Sequence, residues 1–428
     1  MKSKIFIVIT FCLMTGTVEA QTLRWRMLDN SIIPGYPRFE DIYFINSDIG
    51  WVVDFGGPIY KTYNSGNNWI RKGTVHYSRT IGYFNSEIGL IGTLDSSKPL
   101  YRSINGGESY YAVSLPVDAP RNIGGISIVN ENVAYACGSY EIGKIIKSTD
   151  KGTTWKLVFN DPSIAKTITD CYFWTSDSGI AVGGYNTSFF GFGNSVIIRT
   201  TDGGETWQRV YNSPRTEEWC WKISFLSKKS GFVSIERHSG YSYVLKTTNG
   251  GSDWIEIPFQ VYAQQGIGFI NENTGWIGGW TGPTYQTTNG GILWQAVSWG
   301  RNIGRFRFLN DTLAFAVGDR IYKYSIDVDN FPQEFPKSYI LYQNYQNPFN
   351  PVTKIKFGIP LEGQLRAVNI RLMIYDALGK EVQILVNEKL FPGNHEFEFD
   401  GNNLSNGVYY YKLETQNFTE VKRMILLK

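Results

Sequence analysis

Histidine and cysteine are scarce in this sequence: three histidines and four cysteines among 428 residues. His76, His238 and His395 stand far apart, and no Cys/His spacing fits a metal-ligand set. No calcium-loop signature, phosphate loop, dinucleotide fingerprint or nucleophile elbow occurs either. The sequence therefore implies no metal, no cofactor and no catalytic constellation. Charge of one sign is also lacking, with 41 Lys+Arg against 38 Asp+Glu and a net charge of +3. No basic stripe is present to neutralise a row of phosphates, which argues against a nucleic-acid partner. No apolar run is long enough to span a bilayer, so no transmembrane segment is expected.

What is abundant points to strands. Aromatics make up 15% and charged residues only 18%, a composition unsuited to disorder. Forty-five glycines suggest short strands joined by tight turns, and the length allows two or three domains. Residues 1–20 read as a signal peptide. Lys2 and Lys4 supply the positive end, residues 5–14 the apolar stretch, and Val18 to Ala20 a cleavage site before Gln21. Cys12 follows the bulky Phe11, which disfavours a lipid anchor. Cys137, Cys171 and Cys220 are too few for a disulfide framework and suit small buried thiols, although one pair could form.

One pattern, Ser/Thr-x-Asp/Asn-x-Gly-x-x-Trp/Tyr, occurs at 62–69, 103–110, 148–155, 200–207, 247–254 and 287–294. The starts are 41, 45, 52, 47 and 40 residues apart, the length of one four-stranded propeller blade. A second pattern, an aromatic or apolar residue, a short polar turn, and Gly or Ala opening an apolar strand, occurs seven times, beginning at Phe44, Phe84, Ile128, Phe173, Phe225, Phe269 and Phe308. It reads as the hairpin between a blade's first and second strands. The missing seventh copy of the first pattern sits at the chain start, where the run from Trp25 lines up with that from Trp207. The expected fold is therefore all-β: a seven-bladed β-propeller over 21–325, its last blade taking three strands from 302–325 and its outer strand from 23–29.

The first pattern resembles the Asp box (BNR repeat) of sialidases and related propellers. Together with the F-x-N-x-x-x-G-W pattern, it makes residues 23–325 most similar to the photosystem II stability and assembly factor family. That resemblance implies the fold more than a function, because propellers host unrelated activities. Sialidases of this fold carry an F/Y-R-I-P motif and an arginine triad. Neither 36–39 nor 306–308 fits, and four of the six boxes carry Asn (Asn64, Asn105, Asn249, Asn289) where a catalytic acid would be needed.

After residue 325 the texture changes. Residues 326–337, with Pro332 and Pro336, read as a linker. Strands are expected at 353–357, 368–375, 382–385, 395–399 and 408–414, which suggests that 338–428 form a small immunoglobulin-like β-sandwich. This segment resembles the type A sorting domain of the type IX secretion system through Asn347, Pro348, Phe349, Asn350, Pro351, Gly379, Gly407, Tyr409 and the ending 421–428. The resemblance implies the secretion machinery as a partner, and delivery to the outer-membrane surface or the medium.

Two sets of residues are candidates for ligand binding on the propeller. Arg79, Arg121, Arg301 and Arg305 each stand near the start of a blade's first strand and could form a ring of guanidiniums at the channel mouth. Tyr185, Phe189 and Phe190, from the longest loop, could join Trp219, Tyr241 and Trp280 in stacking on a sugar or peptide. The leading expectation is an exported, non-enzymatic binding or scaffold protein for a protein, peptide or glycan ligand. The alternatives are a secreted, sialidase-like glycoside hydrolase and a structural or adhesive surface protein.

Overall fold

The computed structural model describes all residues except 1–22, 29–31, 36–37, 139–141, 186–192, 238–239, 262–263, 281, 327–335, 362–367 and 391. The expected signal peptide and most of the expected linker lie outside the described residues. Those described form no helix, so none is long and apolar enough to cross a membrane.

Seven four-stranded antiparallel sheets make the propeller. Their inner strands are Phe39–Phe44, Ser78–Tyr83, Gly125–Ile128, Thr167–Phe173, Glu218–Phe225, Gln264–Phe269 and Arg305–Phe308. Blades one to six are consecutive meanders. In the seventh, Leu23–Met27 pairs with Ile321–Ile326, so both ends of this domain share one sheet. Trp25 is buried there, stacked on Trp299 at 4.7 Å and edge-on to Trp276 at 5.5 Å.

The two sequence patterns have separate mechanical roles. In the first, the hydroxyl of Thr62, Ser103, Ser148, Thr200, Thr247 or Thr287 accepts the backbone N–H four residues later at 2.9–3.0 Å. The donor is always a glycine with φ between 76° and 95°, a region costly for any side chain. In five of the six turns the residue before the hydroxyl reaches the neighbouring turn, and Lys323 does so from the corresponding place in the last blade. Lys61 donates to Ser86 O, Arg102 to Lys151 O, Lys147 to Ser176 O, Arg199 to Gly250 O and Lys323 to Ser65 O, while Lys246 pairs with Glu272.

The second pattern builds the wedge between blades. The hairpin glycines Gly50, Gly89, Gly179, Gly231 and Gly275 lie directly over the ring of their cross-strand partner, where a Cβ would approach to 2.3–2.5 Å. Each ring therefore lies flat and offers a face to the blade before it. Trp51 stacks on Tyr83 at 3.6 Å, Tyr135 on Phe173 at 3.4 Å, Phe232 on Phe269 at 3.5 Å, and Phe315 of the last blade on Phe44 of the first at 4.0 Å.

The C-terminal sheets are Ile340–Leu341, Val352–Ile359 and Gly393–Asp400, and Glu381–Leu390, Val368–Asp376, Gly407–Glu414 and Thr419–Leu426. They enclose one apolar core as a small sandwich, with Phe349, Ile355, Phe357, Ile374, Tyr411 and Leu426 fully buried. The run at 347–349 lies beside the last strand: Phe349 N donates to Ile425 O, Leu427 N donates to Phe349 O, and the Asn347 side chain accepts from Ile425 N.

Trp25→Ala removes the anchor of the closing strand and is expected to cost about 3–5 kcal/mol. The measurement is the urea midpoint of the propeller. An unchanged midpoint would show that the ring does not depend on this strand.

Candidate functional site

Inner strands of a propeller line its axis, so polar residues on them reveal the site. The hairpin residue is a ring in six blades and Ile128 in the third, and in the second it is Tyr83 rather than the Phe84 read from the sequence. Counting back from it, the fourth residue is Glu40, Arg79, Gly124, Thr169, Trp221, Gln265 or Gly304, and the third is Asp41, Thr80, Gly125, Asp170, Lys222, Gly266 or Arg305. Five inner strands carry a β-bulge here, at Glu40, Arg79, Thr169, the Trp221–Lys222 pair and Gln265. A bulge re-aims side chains out of the regular alternation, here toward the axis.

The upper ring closes on itself. Arg38 ion-pairs with Glu40 at 3.5 Å, and Glu40 with Arg79. The Arg79 guanidinium lies 5.4 Å over Trp221, which packs 5.6 Å from Trp219. Trp219 Nε1 donates to Glu236 at 3.1 Å, Gln265 Nε2 donates to the same carboxylate, and Arg38 donates to Gln265 Oε1 at 2.5 Å. Arg38 also lies 4.5 Å over Trp280.

The ring below is a four-charge lattice. Arg305 joins Asp41 at 3.1 Å and Asp170 at 3.0 Å, and Lys222 stands 4.0 Å from Asp170. Burial alone would push the Asp41 carboxyl up. Arg305, Arg307 and Lys222, with the Ile81 N–H, reverse this and hold it below its ordinary value. Burial weakens the Arg305 guanidinium less than the two carboxylates strengthen it, so its pKa is raised. Burial and the nearby Arg305 and Arg79 bring the Lys222 ammonium down to about 8, against Asp170 and Asp41.

The structure separates the four arginines grouped from the sequence. Arg79 and Arg305 are buried at the axis and engaged by carboxylates. Arg121 is exposed on the connection after blade two, and Arg301 is exposed at the end of the outer strand Gln295–Arg301. The open ring of guanidiniums is thus corrected to two axial, ion-paired arginines and two peripheral ones. The expected arginine set missed Arg38, and neighbouring carboxylates quench its two inner members.

The aromatic set divides as well. Trp219 is buried in the upper ring, and Trp280 is 44% exposed above Arg38. Tyr241 is 62% exposed, its carbonyl taking a hydrogen bond from Arg237 at 2.8 Å. Tyr185 is half-buried under the Arg209 guanidinium at 4.3 Å. Phe189 and Phe190 lie outside the described residues. Arg38, Glu40, Asp41, Asp170, Trp221, Lys222, Glu236 and Gln265 were missed. Aligning the seven inner strands on their hairpin residue would have exposed most of them, as charged or amide residues within apolar strands. Cys137, Cys171 and Cys220 are free, buried thiols. Among the described residues no cluster of ligating side chains could hold a metal ion.

Below pH 8 the folded and unfolded chains both hold the Lys222 proton, but between about 8 and the ordinary 10.5 only the unfolded chain does. Folding therefore gains stability from this group as pH rises through that window. The stability of Lys222→Met relative to wild type is expected to fall by on the order of 3 kcal/mol across it. Urea unfolding at the two ends of the window measures this, and a constant difference would refute the perturbed lysine.

Residues 344–427 match the family model described as the secretion system C-terminal sorting domain. The chloroplastic photosystem II stability/assembly factor of Oryza sativa subsp. japonica is 22% identical over 349 residues, covering 69% of this chain and 80% of that protein. Its Arabidopsis thaliana counterpart is 22% identical over 333 residues, covering 70% and 78%. Among solved structures, YCF48 bound to D1 peptide aligns with TM-score 0.52 and 17% identity, covering 71% of this chain and 97% of that one. A xyloglucanase from Xanthomonas campestris aligns with TM-score 0.52 and 12% identity, covering 94% and 68%. The chain is therefore a β-propeller similar to the photosystem II stability/assembly factors, ending in a secretion system C-terminal sorting domain.

Proposed function

We propose that this is an exported, non-enzymatic binding or scaffold protein. Type IX secretion delivers it to the cell surface or the medium, where the propeller holds a protein, peptide or glycan partner. The sorting domain supports export. The observation that carries the binding reading is the state of the axial carboxylates. Glycoside hydrolysis needs two carboxyls facing a cleft, one protonated and one free to attack or to activate water. Here Glu40, Asp41 and Asp170 are ion-paired and Glu236 accepts from an indole and an amide. The likeness to a xyloglucanase extends to the fold alone.

The binding face in this reading is the one at the start of the inner strands. Trp280 and Tyr241 are its exposed aromatics, Arg121 and Arg301 its peripheral cations, and Tyr185 stands half-buried at its edge. That a solved relative of the same fold is bound to a peptide supports a partner of that kind.

Two measurements test the reading. Deleting residues 344–427 is expected to leave the protein inside the cell envelope, and its undiminished appearance at the surface or in the medium would remove the sorting role. The purified protein is expected to release no sugar from a panel of polysaccharides and sialosides, and turnover of any of them would replace the binding reading with the hydrolase.

A further inference from the structure

The opposite mouth, where the hairpins between first and second strands end, differs from the two rings above. Its register position is the one just before each hairpin residue: Tyr43, Gly82, Ser127, Tyr172, Ser224, Gly268 and Arg307. The blade seam explains the small ones. Ser127 and Ser224 accept the Phe173 and Phe269 N–H of the next blade at 3.1 and 3.4 Å. A Cβ on Gly82 or Gly268 would come within 2.8 or 2.5 Å of the next blade's side chains. Tyr43, Tyr172 and Arg307 exceed what that seam requires.

These three side chains stand in the wall of a cavity of about 390 Å³, with Trp174 and Phe225 beside them. Small-molecule sites begin at roughly 300 Å³. Arg307 uses Nε to bond Ile42 O at 3.0 Å, and its Nη2 is 3.7 Å from Asp41, outside hydrogen-bond range. Its terminal nitrogens and the hydroxyls of Tyr43 and Tyr172 have no hydrogen-bond partner among the described residues. The guanidinium lies 5.3 Å from the Tyr43 ring centre and bears electrostatically on both tyrosines.

Charge completes the argument. The upper ring balances Arg38 and Arg79 against Glu40 and Glu236, and the lattice balances Arg305 and Lys222 against Asp41 and Asp170. Among the described residues Arg307 is thus an axial cation beyond these two balanced sets, its 3.7 Å ion pair with Asp41 shared with Arg305, and Lys228 adds another positive charge to the lining. A guanidinium fork flanked by two hydroxyls suits a carboxylate, and aromatic walls suit a ring attached to it.

We propose that this mouth binds a small ring-bearing carboxylate, a uronate or an aromatic acid, with Arg307 gripping the carboxylate and the Tyr43 and Tyr172 hydroxyls donating to it. The site lies at the end of the axis away from the face invoked above and does not depend on that reading.

Calorimetric titration of the purified protein with galacturonate and benzoate, against galactose and benzamide, tests it. At least one acid is expected to bind about tenfold or more tightly than its neutral counterpart. The acid that binds identifies the source of the carboxylate. Arg307→Gln is expected to abolish the difference, and Tyr172→Phe to weaken the acid several-fold. Should Arg307→Gln fail to fold, Arg307→Lys keeps the charge but loses the fork and is expected to weaken the acid. Absence of binding by both acids, equal binding of acid and neutral analogue, or unchanged affinity in the folded variants overturns the proposal. None of these outcomes bears on secretion or on glycan hydrolysis.

Discussion

Flat contact between a side chain of one blade and a hairpin ring of the next is the interaction on which this propeller rests. The ring lies flat because a glycine or alanine faces it across the hairpin. The residue after that glycine or alanine then points to the neighbouring blade, and where it is aromatic the two faces stack, as Trp51 does on Tyr83. Such a pair contributes about 0.5–1.5 kcal/mol beyond buried area. One contact of this kind would not order a sheet. Repeated around the circle, with Ile128 in place of a ring in the third blade, such contacts do more, because each blade is wedged from both sides. The stack of Phe315 on Phe44 shows why closure matters: it joins the last blade to the first, and the strand at Trp25 completes the last blade.

The buried charges follow from that circle. Side chains enclosed by seven sheets are largely withdrawn from bulk solvent, and ions placed there must be matched by opposite ions or by directed hydrogen bonds. The molecule does this layer by layer. Each of the two inner rings combines equal numbers of acids and bases, drawn from blades far apart in sequence. Arg305 reaches Asp41 on one side and Asp170 on the other, so a single guanidinium fixes the first, fourth and seventh blades relative to one another. Such a lattice adds geometric definition more than net stability, since its desolvation cost offsets most of its attraction. It also leaves the axial carboxylates committed, which weighs against general acid or base work there.

The repeats were legible because the turn chemistry is local. A hydroxyl, an Asx side chain and a glycine within five residues specify one hairpin wherever they occur. The shared last blade was also legible, from the unmatched strand at Trp25. The site was much less so. Arg79 and Arg305 were singled out, but their partners Glu40, Asp41 and Asp170 sit 39 to 264 positions away, in sites where composition gives no warning. The bulges that turn Glu40 and Gln265 inward are equally silent in a periodicity count, because one extra residue looks like ordinary strand. In the C-terminal domain, the last strand Thr419–Leu426 was read only as a terminal motif, since the adjacent Lys422 and Arg423 interrupt its apolar alternation.

The same distinction applies to the sorting domain. Phe349 is buried, Tyr409 is buried with its hydroxyl donating to Ser405 O, and Asn347 caps the last strand through Ile425 N. Gly379 has φ 82°, as its tight turn requires. Residues with these duties make a segment recognisable because the sandwich needs them, whatever reads its surface. A receptor touches the outside, and there the 347–351 run offers Pro348 and Asn350 beside the exposed face of the final strand. Phe349 positions those residues by anchoring the run in the core. A substitution at Phe349 therefore strikes the core of the domain, whereas one at the exposed Asn350 leaves that core intact, so only the second kind separates a surface role from folding.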